Sequence, residues 1–235
     1  QYLDIVAHGN EEVVQARFAD SAFFSNEDNK HSLEDFIKRE DTLTFHPKLG
    51  SMLDKTNRIL QLTDTLCLGI GLSKEETAIA MEAAQLCKAD LVTKMVIEMT
   101  ALQGTIGKYY ALQRGKSAAI ANAIEGHYQP RNAGDRSPAS KAGLVVGLAD
   151  RLDSLIGLFS AGMAPSGTKD PFGLRRAAIG LVQNLITANI SLDLQKYIFK
   201  ASALLPVNSS PKDCQDCLDF IIGRLEQMLL EEGYA

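Results

Sequence analysis

Apolar positions recur every three or four residues along most of the chain, and this spacing predicts α-helices. The clearest example is the helix that follows Ser51. Its apolar face carries Met52, Leu53, Thr56, Ile59, Leu60, Thr63 and Leu66, and it ends at Gly69 or Gly71. No segment alternates strictly between apolar and polar residues over more than a few positions. The pattern therefore predicts an all-α protein of about ten helices.

Capping residues mark where several of these helices begin. Ser73 and Glu76 have the spacing of a capping box, in which each residue bonds the backbone N–H of the other. Asp170 followed by Pro171 predicts a helix with Asp170 as its N-cap and Pro171 in its first turn, because proline suits that position. A second long helix is expected over Leu144–Phe159, which is almost wholly apolar on one side.

The beginning of the chain is interpreted differently from the rest. Asn10 followed by two glutamates predicts the start of a helix, and residues 25–30 form a polar loop after it. Residues 1–8 are then expected to be the remnant of a preceding domain, with the appearance of a short strand. Residues 9–235 are expected to form a single helical domain.

The net charge of −5 conceals a division along the chain. Residues 1–87 have a net charge of −7, residues 88–176 of +5 and residues 177–235 of −3. A basic middle between acidic flanks is compatible with an anionic partner on the middle segment, and equally with ordinary variation in surface charge. The longest apolar run has 8 residues, well short of the roughly 20 that a membrane span needs, so no membrane contact is expected.

Metal and redox chemistry are weakly supported by the residues present. Asp90, Asp150 and Asp153 are acidic residues within apolar segments, but no His-Asp dipeptide accompanies them as in metal-dependent phosphohydrolases. Hydrogen-bonded buried carboxylates are therefore the preferred interpretation. Cys214 and Cys217 form a C-x-x-C without a second pair at zinc-site spacing, which favours two ordinary helix residues.

The strongest candidate for binding is the basic segment Lys169–Arg176. It contains Lys169 before the predicted helix start and Arg175 and Arg176 one turn later. Cations around a helix N-terminus are suited to binding an anion, although a solvated helix start has the same composition.

Several segments together resemble one known family, in one order along the chain. They are Lys88–Thr93, Ala101–Gly104, Tyr109–Leu112, His127–Arg131 followed by Ala133–Asp135, Ala149–Asp153 and Lys169–Arg176. The order and the residue types of these segments resemble the sequence of the β subunit of the bacterial-type, α2β2 glycyl-tRNA synthetase. The resemblance runs from about Gly9 to Tyr234. The resemblance implies the central region of that subunit, with an HD-domain-like helical fold whose metal site is degenerate.

The resemblance also implies a function, namely a tRNA-binding accessory domain of a glycine–tRNA ligase. ATP and magnesium then serve the α subunit, while this chain carries no catalytic residue, metal or cofactor. The implied partners are tRNA(Gly), the α subunit and the rest of the β subunit, without a membrane, in the bacterial cytoplasm or alternatively in a plastid or mitochondrion. The basic residues expected to contact tRNA are Lys169, Arg175, Arg176, Arg131, Arg136 and Lys108. The alternatives are a purely architectural module between domains or subunits and a metal-dependent phosphohydrolase.

Overall fold

The computed structural model describes residues 2–132, 134–231 and 233–234, and this part of the chain is largely helical. The α-helices are α1 (Tyr2–Asp28), α2 (Leu33–Arg39), α3 (Met52–Ile70), α4 (Lys74–Leu86), α5 (Lys94–Glu98), α6 (Thr105–Gln113), α7 (Ala118–Gly126), α8 (Lys141–Ser160), α9 (Leu174–Thr187), α10 (Leu194–Ser202) and α11 (Pro211–Glu231). Short 3₁₀ turns lie at Glu40–Thr42, Ala89–Val92 and Thr100–Leu102. Two short strands, β1 (Thr44–His46) and β2 (Gly50–Ser51), pair antiparallel. The all-α prediction is confirmed, and no helix among the described residues is long and apolar enough to cross a membrane.

Helix α8 lies at the centre of the fold, in contact with α3, α4, α7, α9, α10 and α11. Its sequence is apolar on nearly every side, and a helix of that kind is stable in water only when other helices surround it. Almost all of its residues are buried, and the exceptions include Asp150 and Ser154 in its middle. A polar side chain on α8 therefore either packs against a neighbouring helix or lines a pocket between helices.

Helix α3 begins and ends close to where its sequence predicts. The Ser51 hydroxyl accepts from the Asp54 backbone N–H at 3.2 Å, and the Asp54 carboxylate accepts from the Ser51 N–H at 2.8 Å. Gly71 follows the last turn with a φ of 78°, in the left-handed region. Glycine adopts that conformation without strain, which is why it commonly follows the last turn of a helix. The Ser73–Glu76 capping box at the start of α4 is likewise confirmed.

Helix α1 corrects the interpretation of the first residues. Residues 2–8 are helical, Asn10 lies inside the same helix, and the helix continues to Asp28 through most of the expected loop. A strand needs a partner for its backbone groups, whereas a helix satisfies them internally, and among the described residues no strand pairs with residues 2–8. The assignment of residues 1–8 to a preceding domain stays a prediction, and residue 1 lies outside the described residues.

The start of α9 is also displaced from its prediction. The helix begins at Leu174, three residues after Pro171, because Gly173 has a φ of 67° and closes a turn with Asp170. The Asp170 carboxylate nevertheless caps the helix. Its carboxylate accepts from the backbone N–H groups of Leu174 at 2.8 Å and Arg175 at 2.9 Å. Both N–H groups belong to the first turn, where they have no partner inside the helix.

We expect Asp170→Ala to lower the free energy of unfolding by about 1 kcal/mol, the usual cost of losing a helix cap. For a chain of this size that corresponds to a fall in Tm of about 2–4 °C in a thermal unfolding experiment. Lys169→Ala is the matched control, because the Lys169 side chain is exposed and makes no capping bond. An unchanged Tm for Asp170→Ala would show that the α9 terminus does not depend on this carboxylate.

Candidate functional site

A pocket of about 420 Å³ opens beside the middle of α8. Its walls come from α8, from the segment after α7 and from the turn and first residues of α9. They are formed by Gln103, His127, Tyr128, Pro130, Arg131, Asp150, Arg151, Ser154, Phe172, Gly173, Arg176 and Ala177. Three arginines and one carboxylate stand on this wall, so the pocket is strongly basic.

Asp150 is the only carboxylate on the described pocket wall. Two lysines that do not line the pocket neutralise its charge. The ammonium group of Lys88 donates to one of its oxygens at 2.7 Å, and that of Lys55 lies 2.9 Å from the other. Burial alone favours a protonated carboxyl, but the two ammonium groups outweigh it and hold the pKa of Asp150 well below its usual range. Asp150 is therefore a carboxylate whose charge is fully balanced.

His127 forms the next link in this network and is uncharged. It is completely buried, and burial together with the neighbouring Lys88 ammonium holds its pKa well below the usual value for histidine. Its Nδ1 faces the backbone carbonyl of Ile124, so that nitrogen carries the proton and donates. Nε2 then accepts from Lys88 at 3.0 Å, which leaves the imidazole no free nitrogen.

A second ion pair lies one turn further along α8. Arg58 donates to Asp153 at 2.5 and 3.3 Å and to the backbone carbonyl of Leu49 at 3.0 Å. Lys55 also donates to Asp153, at 2.9 Å, and to the Ser154 hydroxyl at 2.8 Å. Although burial disfavours the charged amine, Asp150 and Asp153 raise the pKa of Lys55 above its ordinary value.

Arg151 is the most unusual member of the site, since it is 8% exposed and lacks a carboxylate partner among the described residues. Its guanidinium donates instead to backbone carbonyls at 2.9–3.2 Å. The acceptors are His127, Tyr128, Gln129, Pro130 and Gly147. Gly180 on α9 makes room for it, because a Cβ there would come within 2.9 Å of Nε.

These side chains form a group that we name the α8 charge cluster: Lys55, Arg58, Lys88, Asp150, Arg151 and Asp153. All are largely buried; Lys55, Arg58 and Lys88 pair with the two carboxylates, and Arg151 is a fourth cation. Two further buried acids lie nearby: burial raises the pKa of Glu40 to about 7, and burial also raises the pKa of Asp90 above its usual value. Within the cluster itself, cations outnumber carboxylates.

Of the six basic residues expected to bind tRNA, Arg131 and Arg176 lie on this pocket wall. Arg131 lies over the Tyr128 ring at 5.5 Å and donates to backbone carbonyls, including that of Gln103. Arg176 is exposed and has no hydrogen bond or ion pair with any residue that the structure describes. Neither guanidinium is neutralised by a carboxylate within the described ranges.

The other four residues lie outside the pocket wall. Arg175 turns back to donate to the carbonyl of Gly167, with Asp170 at 4.0 Å. Lys108 is paired with Glu125 at 2.8 Å and faces a different opening. Lys169 and Arg136 are exposed on neighbouring loops. The structure thus brings together two of the six, and the expectation that these residues contact tRNA stays a prediction for all of them.

The aspartates and cysteines that the sequence suggests only weakly as metal ligands have other roles in the structure. Within the part of the chain that the structure describes, no group of three or more His, Cys, Asp or Glu side chains is arranged to hold a metal ion. Asp150 and Asp153 bind cationic side chains, and Asp90 accepts from the backbone N–H groups of Gly104 and Gly107. Cys214 and Cys217 are buried in α11 as free cysteines.

Sequence reasoning missed the cations of α3, although a signal for them was present. Lys55 and Arg58 lie on the same helical face as Ile59, Leu62 and Leu66, which are buried. A charged residue on the apolar face of a helix is expected to be buried together with that face. A buried cation needs a carboxylate or a carbonyl as its hydrogen-bond partner. The two aspartates of α8 supply that partner.

Comparison with known proteins places the whole chain in one family. The family model described as glycyl-tRNA synthetase beta subunit matches residues 1–235. The chain is 40% identical to glycine–tRNA ligase, chloroplastic/mitochondrial 2, of Arabidopsis thaliana over 99% of this chain and 22% of that protein. It is 42% identical to the glycine–tRNA ligase beta subunit of Aromatoleum aromaticum over 99% of the chain, and 43% identical to that of Chromohalobacter salexigens over 98%. The chain covers 33% of the length of each of these two subunits.

Glu40 provides a test of the buried electrostatics beneath the pocket. Its folded pKa of about 7 exceeds the ordinary 4.5, so between these values the folded state binds more protons than the unfolded state. The free energy of unfolding must therefore fall as pH rises through this window, by at most about 3 kcal/mol. Glu40→Gln does not titrate, so we expect its Tm relative to the unaltered chain to increase from pH 5 to pH 8.

Thermal unfolding at the two pH values measures this difference, with Glu34→Gln on the exposed face of α2 as the control. A Glu40→Gln difference that is the same at pH 5 and pH 8 would contradict the raised pKa.

Proposed function

The chain belongs to the family of glycyl-tRNA synthetase β subunits, and we propose that it serves a glycine–tRNA ligase as a tRNA-binding accessory module. In this role it helps to position tRNA(Gly) for glycylation by the α subunit. The chain itself supplies binding and orientation, whereas the chemistry of glycine activation takes place elsewhere in the ligase.

The observation that carries this proposal is the uncompensated positive charge of the pocket. Arg131 and Arg176 stand at its wall without carboxylate partners among the described residues, above the α8 charge cluster with its excess of cations. RNA offers a phosphate at every nucleotide, and guanidinium groups bind phosphate through paired hydrogen bonds. A buried cation is also costly without a counter-charge, so an approaching phosphate gains more here than at a solvated lysine.

The rest of the ligase completes the activity in this proposal. ATP and magnesium belong to the α subunit, and this chain requires no cofactor. The remaining β-subunit residues and the α subunit are its protein partners. The relatives include a ligase named for chloroplast and mitochondrion as well as bacterial subunits, which fits either the bacterial cytoplasm or an organelle.

A second role, architectural contact with other domains or subunits, is favoured by the surface of α1. Large apolar side chains are exposed along this helix: Ile5, Val6, Val13, Val14, Phe18 and Phe23. Exposed apolar side chains gathered along one helix are typical of surfaces that contact other protein. This surface is formed by α1 and the residues near Met99, whereas the basic pocket is formed by α8, the segment after α7 and the start of α9, so the two roles are compatible.

We expect the double substitution Arg131→Gln, Arg176→Gln in the assembled α–β enzyme to weaken tRNA binding. Each lost phosphate contact should reduce the magnitude of the slope of log affinity against log salt concentration by about 0.7–0.9, because fewer counterions are released. Glycyl-adenylate formation without tRNA should stay near the unaltered rate. Filter binding at several salt concentrations and an adenylate assay measure the two quantities.

Lys116→Gln is the matched control, because it removes one positive charge at a lysine that is already paired with Glu82 and lies outside the pocket wall. Arg131→Lys with Arg176→Lys keeps the charge but loses the planar fork, and it should give an intermediate affinity. If the folded double variant binds tRNA with unchanged affinity and salt slope, the architectural role becomes the better explanation.

The phosphohydrolase alternative leads to a separate expectation. The Asp150 oxygens face Lys55 and Lys88, and His127 accepts from Lys88, so a divalent ion must displace two ammonium groups to bind them. We expect no release of phosphate from nucleotides or phosphodiesters when Mg²⁺, Mn²⁺ or Zn²⁺ is added to the chain. Metal-dependent turnover that disappears in Asp150→Ala would contradict this expectation.

A further inference from the structure

An exposed aromatic ring stands on the same pocket wall as the arginines. Phe172, in the turn before α9, is 39% exposed, and its ring meets the His46 ring edge-to-face at 6.0 Å. Tyr128 also lines the pocket, but Lys88 lies over its ring at 4.3 Å and Arg131 at 5.5 Å. Phe172 is therefore the ring with surface available to a ligand.

The floor below this ring supplies the charge that a phosphate needs. Arg151 is more than nine-tenths buried and lines the pocket, with carbonyl groups as its hydrogen-bond partners within the described residues. Carbonyl dipoles satisfy its N–H groups without cancelling its charge. Arg176, in the first turn of α9, also lines the pocket and is exposed. The pocket thus combines positive charge at its base with an apolar ring at its side.

We propose that this pocket takes one unpaired nucleotide of the bound RNA, with its phosphate held by Arg131 and Arg176 above the buried positive charge of Arg151, and with its base stacked on Phe172. The inference rests on the proposed function and states which part of the RNA the pocket receives. The pocket volume is about 420 Å³. A volume of that size is typical of small-ligand pockets and suits one nucleotide.

Contact with the Phe172 ring distinguishes binding of an unpaired nucleotide from binding of double-helical RNA. A base inside a duplex is stacked on both faces by its neighbours and offers no face to a protein ring, whereas an unpaired base does. Contacts from a duplex would reach the arginines at the rim but not Phe172. The stacking on Phe172 is therefore the specific consequence to test.

We expect Phe172→Leu in the assembled α–β enzyme to weaken tRNA binding about tenfold, as for loss of one base–aromatic stack. The same variant should bind a long, fully paired RNA duplex as the unaltered enzyme does, because the bases inside the duplex offer no face to the ring. Phe172→Tyr should retain tRNA affinity. Phe199→Leu on α10 is the matched control, since Phe199 is 45% exposed and lies outside the pocket wall.

The outcomes separate this inference from the proposed function. If Phe172→Leu leaves tRNA affinity unchanged, or weakens tRNA and duplex equally, the nucleotide pocket is overturned. If Arg131→Gln, Arg176→Gln still weakens tRNA binding in that case, the proposed function stands. If the arginine variant has no effect either, both are wrong.

A competition measurement on the unaltered enzyme avoids any effect of Phe172→Leu on folding. Uridine monophosphate is the probe, because adenine nucleotides also occupy the ATP site of the ligase. We expect it to displace tRNA at a lower concentration than inorganic phosphate, since the base adds its contact with the ring. Displacement by both at the same concentration would overturn stacking, whereas displacement by neither would overturn the phosphate site.

Discussion

The arrangement of this protein depends on the burial of more cations than carboxylates along α8. Lys55 and Lys88 share Asp150, Arg58 and Lys55 share Asp153, and Arg151 has backbone carbonyls as partners. Burying charged groups is costly, and the cost is offset here by short ion pairs and a nearly complete set of hydrogen bonds. The excess of cations in this cluster is the basis on which we propose that the neighbouring pocket binds an RNA phosphate.

The packing of the surrounding helices determines where these charged groups lie. Helix α8 is surrounded by its neighbours on nearly all sides: Asp153 pairs with cations of α3, whereas Asp150, Arg151 and Ser154 line the pocket. Gly147 and Gly180 allow the Arg151 guanidinium to lie between α8, the segment after α7 and α9, where a Cβ would approach within 2.9 Å of its nitrogens. The turn Pro171–Gly173, held by the Asp170 carboxylate, then sets Phe172 and Arg176 at the mouth.

Local chemistry explains which parts of this structure are visible in the sequence. Capping boxes at Ser51 and Ser73 and the apolar face of α3 follow from interactions within a few residues, so the sequence predicts them well. The predicted start of α9 is wrong because the proline there belongs to a turn that Gly173 closes, and the pattern of residues alone is the same in both cases.

The site is harder to predict because its residues meet only in the folded chain. The sequence nominates Arg131 and Arg176 as RNA contacts, but nothing local indicates that they share a wall with Arg151. It also offers Asp150 as a weak metal candidate, whereas the actual partners of Asp150 are Lys55 and Lys88. These lysines lie 95 and 62 residues away from it in the chain. Pairing over such distances is a property of helix packing around α8, which periodicity does not encode.

A structure of the complete α–β ligase with tRNA bound tests the central claim most directly, because it shows what faces the basic pocket. We expect an RNA phosphate within hydrogen-bond distance of Arg131 or Arg176, with the base of the same nucleotide against Phe172. RNA bound to another face of the chain, or a protein segment filling this pocket, would contradict it.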